Sequence, residues 1–230
     1  MAIRSFLAMT AEEFHRVRPL PEKVAWMACH FAPYDRGLTD LPKTLPAGSV
    51  LLLDDRIEAT DHDPEEIIRQ LTDTVKTLSC HALVLDLQRS PSPLTLDLCR
   101  KLVHSLPCPV AVPPAYATDT DHPLFVPPVP LGTAVGTWLA PWTGRDLWLE
   151  LALDTALITV GPEGSRRSPL PPPEAPLPHN DESLHCHYQI TVAEDSLRFT
   201  LTRTRQDLQE LLEEAGSLGV HHAIGLYQEL

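Results

Sequence analysis

A helix followed by a buried strand forms the clearest pattern of apolar and polar positions in the chain. Asp63 and Pro64 suit the start of a helix, because an aspartate caps the first turn and a proline there loses no hydrogen bond. Apolar residues then recur at helical spacing along one face, at Ile67, Ile68, Leu71, Val75 and Leu78. Residues 81–87 follow as HALVLDL, which is apolar on both faces, as in a parallel strand covered by helices. Polar residues gather at the C-terminal end of this predicted strand, where a barrel of parallel strands carries its functional site.

Strands and helices of the same kind are predicted along the rest of the chain. Residues 1–20 are expected to form a short helix or an arm that covers the bottom of a barrel, and residues 23–32 the first barrel strand. Residues 147–160 form either one long strand or a hairpin that turns at Asp154 and Thr155, since both fit the alternation. The remaining predicted elements are strands at 49–57, 109–114 and 124–131, a helix at 92–106, a strand pair at 187–192 and 196–201, a helix at 204–216 and a last strand at 220–227.

The order of these elements predicts an α/β fold. The expected architecture is a TIM-type (β/α) barrel that is short of, or irregular in, one or more strand–helix units. Residues 38–47 have room for only a short turn, so the second strand–helix unit is expected to be missing or reduced. The 230 residues suffice for one barrel domain, which is predicted to span residues 1–230.

Proline is unusually frequent in this chain. The sequence contains 24 prolines against 10 glycines, which indicates many rigid loops. Residues 168–180, SPLPPPEAPLPHN, are predicted to form an extended, polyproline-like surface loop. P-x-x-P segments recruit binding modules, so this loop either binds a protein partner or simply connects two elements.

The charge balance argues against one class of partner. The chain carries 18 basic and 31 acidic residues, a formal net charge of −13, and such a protein repels a phosphate backbone. No nucleic-acid partner is therefore expected. The first residues hold too few apolar side chains for a signal peptide, and no later run is long enough to span a membrane. We therefore expect a cytoplasmic protein without a membrane partner, and its five scattered cysteines fit reduced thiols.

The end of the strand at residues 81–87 resembles a known catalytic motif. The fourth strand of glycoside hydrolase family 18, the chitinase-like barrels, carries D-x-x-D-x-D-x-E, and its four positions fall on His81, Val84, Asp86 and Gln88. In that family the glutamate protonates the glycosidic oxygen, and the preceding aspartate orients the substrate's N-acetyl group. Glutamine is not a general acid, so the resemblance implies a barrel that binds a saccharide, or another small polar ligand, without the family's chemistry.

Two other parts of the chain are similar to the same family, and two family patterns are missing. The AVPP strand at 111–114 and the ending at 199–226, F-x-x-x-R-x-x-x-D-L followed by L-G-V-x-x-A-x-G-L, resemble family members. The S-x-G-G pattern of the third strand and the M-x-Y-D motif, which supplies a tyrosine to the site, are absent from the sequence. The resemblance therefore implies the fold more strongly than the activity.

Candidate ligand-binding residues are expected around the end of this strand. Asp86 and Gln88 point into the barrel if they share a face with Val84. Asp54 and Arg56 follow the strand at 49–57 and either extend the site or form a structural ion pair. Aromatic residues and a histidine either stack on a sugar ring or belong to the core. The predicted ligand-binding residues are Asp86, Gln88, His30, Tyr34, Asp54, Arg56, Tyr116, Trp142 and Tyr227.

Two alternative functions remain open at the level of sequence. An active hydrolase would use another carboxyl group as its acid, at about 5 to 10 Å from Asp86. A scaffold protein would bind its partner through residues 168–180. No cofactor and no metal are expected, because the chain has no glycine-rich phosphate loop and its paired histidines, such as His185 and His187, lack the spacing of zinc sites.

Overall fold

Parallel strands form the inner layer of the protein, and an antiparallel sheet is attached to them. The computed structural model describes residues 3–32, 37–58, 62–118 and 121–230. The strands in these ranges are β1 (Arg4–Met9), β2 (Val24–Phe31), β3 (Leu38–Thr39), β4 (Val50–Asp54), β5 (Ala82–Asp86), β6 (Val110–Ala111), β7 (Leu124–Val126), β8 (Leu147–Leu151), β9 (Thr155–Gly161), β10 (Gly164–Pro169), β11 (His179–Asp181), β12 (Cys186–Ala193), β13 (Ser196–Thr202) and β14 (Val220–Leu226). The α-helices are α1 (Ala11–Arg16), α2 (Pro64–Thr77), α3 (Pro93–Ser105), α4 (Val135–Leu139) and α5 (Arg205–Ser217).

Eight parallel strands in the described part of the chain form a nearly closed barrel. Their order around the barrel is β1-β2-β4-β5-β6-β7-β8-β14. β6 and β7 meet only at an isolated bridge between Val112 and Leu124, where the N–H of Phe125 donates to the carbonyl of Val112 at 2.8 Å. The predicted α/β class is therefore confirmed, in the form of a parallel barrel with one seam.

Both faces of the barrel strands are buried, which explains their continuous apolar runs. Leu83 and Leu85 of β5 belong to the outer core, together with Ile67 and Leu71 of α2, whereas Val84 packs inside the barrel. Inside and outside positions alternate along a strand, so the position of a polar residue near the strand end decides whether it faces the barrel mouth. The interior is filled mainly by Phe6, Ala8, Ala25, Val50, Leu52, Ala82, Val84, Ala111, Phe125, Trp148 and Ile224.

The helices cover the outside of the barrel unevenly. α2 begins as predicted, since the carboxylate of Asp63 accepts a hydrogen bond from the N–H of Glu65 at 3.0 Å. α3 and α5 each have 13 residues, whereas α1 has six and α4 has five. Residues 37–49 contain the short strand β3 and no helix, so the helical cover after β2 is reduced, as expected for this region. Within the described ranges, no helix is both long and apolar enough to span a membrane.

An antiparallel sheet lies between β8 and α5 in the sequence. Its strands have the order β10-β9-β13-β12-β11, and a small buried cluster that includes Leu131 and Leu201 joins it to the barrel. The predicted strand pair at 187–192 and 196–201 is confirmed as β12 and β13. Residues 170–178 connect β10 to β11, so both ends of the predicted proline-rich loop lie in strands.

Residues 1–20 were expected to form a short helix or a covering arm; α1 (Ala11–Arg16) is such a short helix, but the prediction missed the barrel strand β1 that precedes it. β1 lies between β2 and β14 and pairs in parallel with both, so residues 23–32 contain the second barrel strand rather than the first. Phe6, Ala8 and Met9 of β1 are buried by neighbours that are far away in the sequence. A segment of six residues shows too few positions for its period to be recognised.

Both predictions for residues 147–160 are wrong. β8 belongs to the barrel, whereas β9 begins the antiparallel sheet after three intervening residues. The N–H of Leu153 donates to the Glu229 carboxylate at 2.9 Å, and the carbonyl of Asp154 accepts from the N–H of Arg203 at 3.1 Å. These distant partners turn the chain between the two sheets, and local alternation carries no sign of them.

Candidate functional site

A cavity of about 380 Å³ opens at the C-terminal ends of the barrel strands. Apolar residues of the barrel interior, including Met27, Leu52 and Phe125, contribute to its wall. The polar residues that line the cavity, which we call the mouth cavity, are Asp54, Asp55, Arg56, Asp86, Gln88 and Glu150. The structure therefore brings four of the predicted ligand-binding residues together.

Strand alternation places the two aspartates of the mouth cavity side by side. Leu52 of β4 and Val84 of β5 point into the barrel, so Asp54 and Asp86, two positions further on, face the same interior. The register of the two strands also aligns Asp54 with Asp86. The carboxyl groups of Asp54 and Asp86 thus lie side by side at the C-terminal ends of β4 and β5, just beyond the apolar interior of the barrel.

The carboxylate of Asp54 is held by three neighbouring groups. Nδ1 of His30 lies 2.8 Å from its Oδ1, and the N–H of Arg56 donates to the same oxygen at 3.0 Å. The Arg56 guanidinium lies 3.6 Å from Oδ2. His30 therefore supports the site through Asp54, and the negative charge of Asp54 is balanced locally.

Asp55 fixes the loop that follows β5. Its side chain accepts hydrogen bonds from the N–H groups of Gln88 and Arg89 at 3.0 and 2.9 Å. The Arg89 side chain donates from Nε back to the carbonyl of Asp55 at 2.8 Å. Asp55 is buried, so these contacts hold the backbone of Gln88 at the cavity wall.

Asp86 and Gln88 contact each other at the mouth cavity. The amide nitrogen of Gln88 donates to Oδ1 of Asp86 at 3.3 Å. Burial raises the pKa of the Asp86 carboxyl, the Gln88 amide lowers it, and the nearby Asp54 and Asp55 charges raise it further. The net direction is upward, so Asp86 is a weaker acid than an exposed aspartate.

Glu150 is a further, half-buried carboxyl group in the mouth cavity, and sequence reasoning did not identify it. It follows Trp148 by two positions on β8, so it faces the barrel interior as Trp148 does. Burial, followed by the charges of Asp86 and Glu229, raises the pKa of Glu150 to about 7. The sequence does contain a sign of this group, because Glu150 is the single charged residue in the apolar run LWLEL at 147–151.

Two of the predicted aromatic residues lie away from the mouth cavity. Tyr116 is buried, and its hydroxyl donates to the carbonyl of Arg89 at 2.9 Å. Trp142 packs edge to face against Trp138, with 5.7 Å between the ring centroids. Tyr116 therefore supports the loop after β5 from behind, and Trp142 packs on the outside of the barrel.

The remaining aromatic candidates do not line the cavity in the described structure either. Tyr227 packs against the outer core, and its N–H donates to the carbonyl of Ala8 at 2.9 Å. Tyr34 lies outside the described residues. Phe125 of β7, which sequence reasoning assigned only to a strand, is the aromatic residue that reaches the cavity wall.

The paired histidines of the antiparallel sheet lie beside carboxylates of α5, and Nδ1 of His185 is 3.9 Å from the Glu210 carboxylate. Nε2 of His185 lies 2.8 Å from the Glu214 carboxylate, and Nε2 of His187 lies 3.7 Å from that of Asp207. Over the described ranges, no three or more His, Cys, Asp or Glu side chains have an arrangement that could hold a metal ion.

Comparisons with known proteins identify the fold alone. The sequence matches no protein family model and no curated protein. Two similar solved structures are the spore cortex-lytic enzyme SleL of Bacillus cereus, with a TM-score of 0.57 and 9% identity, and that of Bacillus megaterium QM B1551, with a TM-score of 0.54 and 10% identity. Each alignment covers 97% of this chain and 70% of the other chain. At such low identity, the shared property is the barrel architecture.

Proposed function

We propose that this protein is a TIM-type barrel of the family 18 kind that binds a saccharide, or another small polar ligand, in its mouth cavity. The observation that carries the proposal is that Asp86 and Gln88, which hold two positions of the family motif, line one cavity at the C-terminal end of the barrel. The similar structures are named as spore cortex-lytic enzymes, and this supports a carbohydrate-related role. A shared fold does not determine function, so the argument rests on the cavity.

The chemistry of the mouth cavity suits a polyhydroxyl ligand. Its carboxyl groups, such as Asp86 and Glu150, accept hydrogen bonds from hydroxyl groups, and the amide of Gln88 both donates and accepts. Phe125 and Met27 offer an apolar surface to a sugar ring. The volume of about 380 Å³ is near the lower end for ligand cavities, which fits a small saccharide.

We further propose that the family's hydrolytic route does not operate in this chain. Gln88 stands at the position of the family's acid, and its amide donates a hydrogen bond without releasing a proton near neutral pH. Fluorogenic chitobiosides should therefore be hydrolysed no faster by the purified protein than by a mock preparation.

The experiment that tests binding is a screen of the purified protein against a glycan panel. Wild type is expected to bind at least one small saccharide, and Asp86→Ala is expected to weaken that binding about tenfold, since a hydrogen bond to a charged group contributes on this order. Asp73→Ala, on the exposed face of α2, is the matched control and should bind like wild type. Binding that Asp86→Ala leaves unchanged would place the ligand elsewhere.

A hydrolase with a displaced acid is the second candidate function, and Glu150 is the observation that favours it. A carboxyl group with a pKa of about 7 is protonated in about half of the molecules at neutral pH, as a general acid must be. Asp86, on the other side of the same cavity, would supply the second carboxyl group. Chitobioside turnover that Glu150→Gln abolishes would support this function, whereas the absence of turnover favours binding alone.

Three other sequence predictions are retained as proposals. We propose a cytoplasmic location, a barrel without nucleic-acid or membrane partners, and a connecting role for residues 168–180 rather than a protein-binding one. Cell fractionation tests the first, and deletion of residues 170–178 tests the last. A truncated protein that keeps its saccharide binding but loses a co-purifying protein would favour the scaffold function instead.

A further inference from the structure

A second, smaller cavity lies where the antiparallel sheet joins the barrel. Its volume is about 180 Å³, and no residue lines both this cavity and the mouth cavity. Its walls come from the segment after β7, from the turn between β8 and β9, from β10 and from the residue that follows β13. The lining residues, which define the junction cavity, are Pro128, Val129, Pro130, Ala152, Asp154, Arg167 and Arg203.

Arg203 has unused hydrogen-bonding capacity at the junction cavity. The residue is only 4% exposed. Its Nε donates to the carbonyl of His185 at 3.1 Å, and its Nη1 donates to the carbonyl of Val129 at 2.8 Å. Nη2 is buried and has no hydrogen-bond partner. Arg203 and Val129 both line the junction cavity, so the contact made by Nη1 lies at its wall.

The charge of Arg203 is also incompletely balanced. Across the described ranges, no carboxylate forms an ion pair with its guanidinium within 4.0 Å. The Asp154 carboxylate is nearby but is paired with Nη2 of Arg167. The Asp207 carboxylate is occupied by the N–H and hydroxyl of Thr204, both at 2.7 Å. A buried cation without a counterion is costly, and burial accordingly lowers the pKa of the Arg203 guanidinium.

We propose that the junction cavity binds a small oxyanion, a phosphate or a carboxylate, between the guanidinium groups of Arg203 and Arg167. The anion would give the charge of Arg203 a counterion. Arg167 is partly exposed at the cavity and would share its guanidinium between Asp154 and the anion. A planar guanidinium matches the paired oxygens of both anion types. Pro128 and Pro130 restrict the backbone on one side of the cavity.

The test compares anions on the full chain at equal ionic strength and neutral pH. Thermal unfolding is measured in increasing potassium phosphate, potassium acetate or potassium chloride, and calorimetric titration with phosphate and acetate gives the dissociation constants. The unfolding midpoint is expected to rise with phosphate or acetate above the chloride series, because a ligand that binds only the folded state stabilises it. A rise with acetate alone identifies a carboxylate site, and a rise with phosphate alone identifies a phosphate site.

Substitutions of single arginines test whether the anion-dependent stabilisation arises at the junction cavity. Arg203→Met should abolish the anion-dependent rise, and Arg167→Gln, at a partly exposed position where folding is retained, should weaken binding about tenfold. Arg198→Gln, exposed on β13, is the matched control and should bind like wild type. The proposal is overturned if wild type responds to all three salts equally. It is also overturned if Arg167→Gln binds phosphate and acetate as tightly as wild type.

Discussion

Replacing Glu150 by glutamine is expected to stabilise the protein, by an amount that depends on pH. Burial and the Asp86 and Glu229 charges raise the pKa of this carboxyl from 4.5 to about 7 in the folded protein. In the unfolded chain the group returns to its ordinary value. Between the two values the folded state holds the proton and the unfolded state does not, so wild type loses stability as the pH rises.

The size of this loss follows from the difference between the two pKa values. One pKa unit corresponds to about 1.4 kcal/mol. The free energy of unfolding of wild type should therefore fall by about 3 kcal/mol as the pH rises from below 4.5 to about 8.5. Glutamine has the shape of the protonated acid and never ionises. Glu150→Gln should therefore raise the free energy of unfolding by about 3 kcal/mol at about pH 8.5, and by only about 1 kcal/mol at about pH 5.

Urea denaturation at the two pH values, followed by circular dichroism, measures both differences. Glu213→Gln, at an exposed position on α5, is the control and should change the free energy of unfolding by less than about 0.5 kcal/mol at either pH. The reasoning is refuted if Glu150→Gln has the same effect at both pH values, or if it destabilises the protein at the higher pH.

Three further experiments test separate parts of the structure. Burial, followed by the charge of His81, lowers the pKa of His222 from 6.5 to about 4, so wild type should lose stability as the pH falls from about 6.5. In urea denaturation, the free energy of unfolding of His222→Gln should fall less than that of wild type between about pH 7 and pH 4.5. An equal fall in both proteins would contradict the burial argument. Asp55→Ala should cost about 2 to 4 kcal/mol in the same assay, because the N–H groups of Gln88 and Arg89 lose their acceptor, whereas exposed Asp73→Ala should cost little. Thermal unfolding with and without a chelator should coincide, and a large drop with chelator would indicate a bound metal.

The sequence predicts well those elements whose signals are local. α2 has a capping aspartate and a clear apolar stripe, and β5 follows it as a short apolar run. Strand alternation alone is enough to direct Asp86 towards the interior once Val84 is assigned there. The resemblance to the family motif also predicted Gln88, which lines the mouth cavity together with Asp86.

Other features depend on contacts between distant segments, which a local pattern does not encode. β1 is recognisable as a strand only through its pairing with β2 and β14, and β8 ends because the chain turns towards Glu229 and Arg203. Glu150 was missed for the same reason, since nothing in LWLEL tells which face of the strand meets the mouth cavity. The raised pKa of Glu150 arises from burial and from Asp86 on a strand far away in the sequence.

The most direct test of saccharide binding in the mouth cavity is an amide NMR titration of the ¹⁵N-labelled protein with the small saccharide selected by the glycan panel. We predict saturable shift changes at the amides of Asp54, Asp86, Gln88 and Glu150, which line the mouth cavity, and little change in the antiparallel sheet or α5. Shift changes confined to those outer elements, or no change at any amide up to millimolar saccharide, would contradict the account.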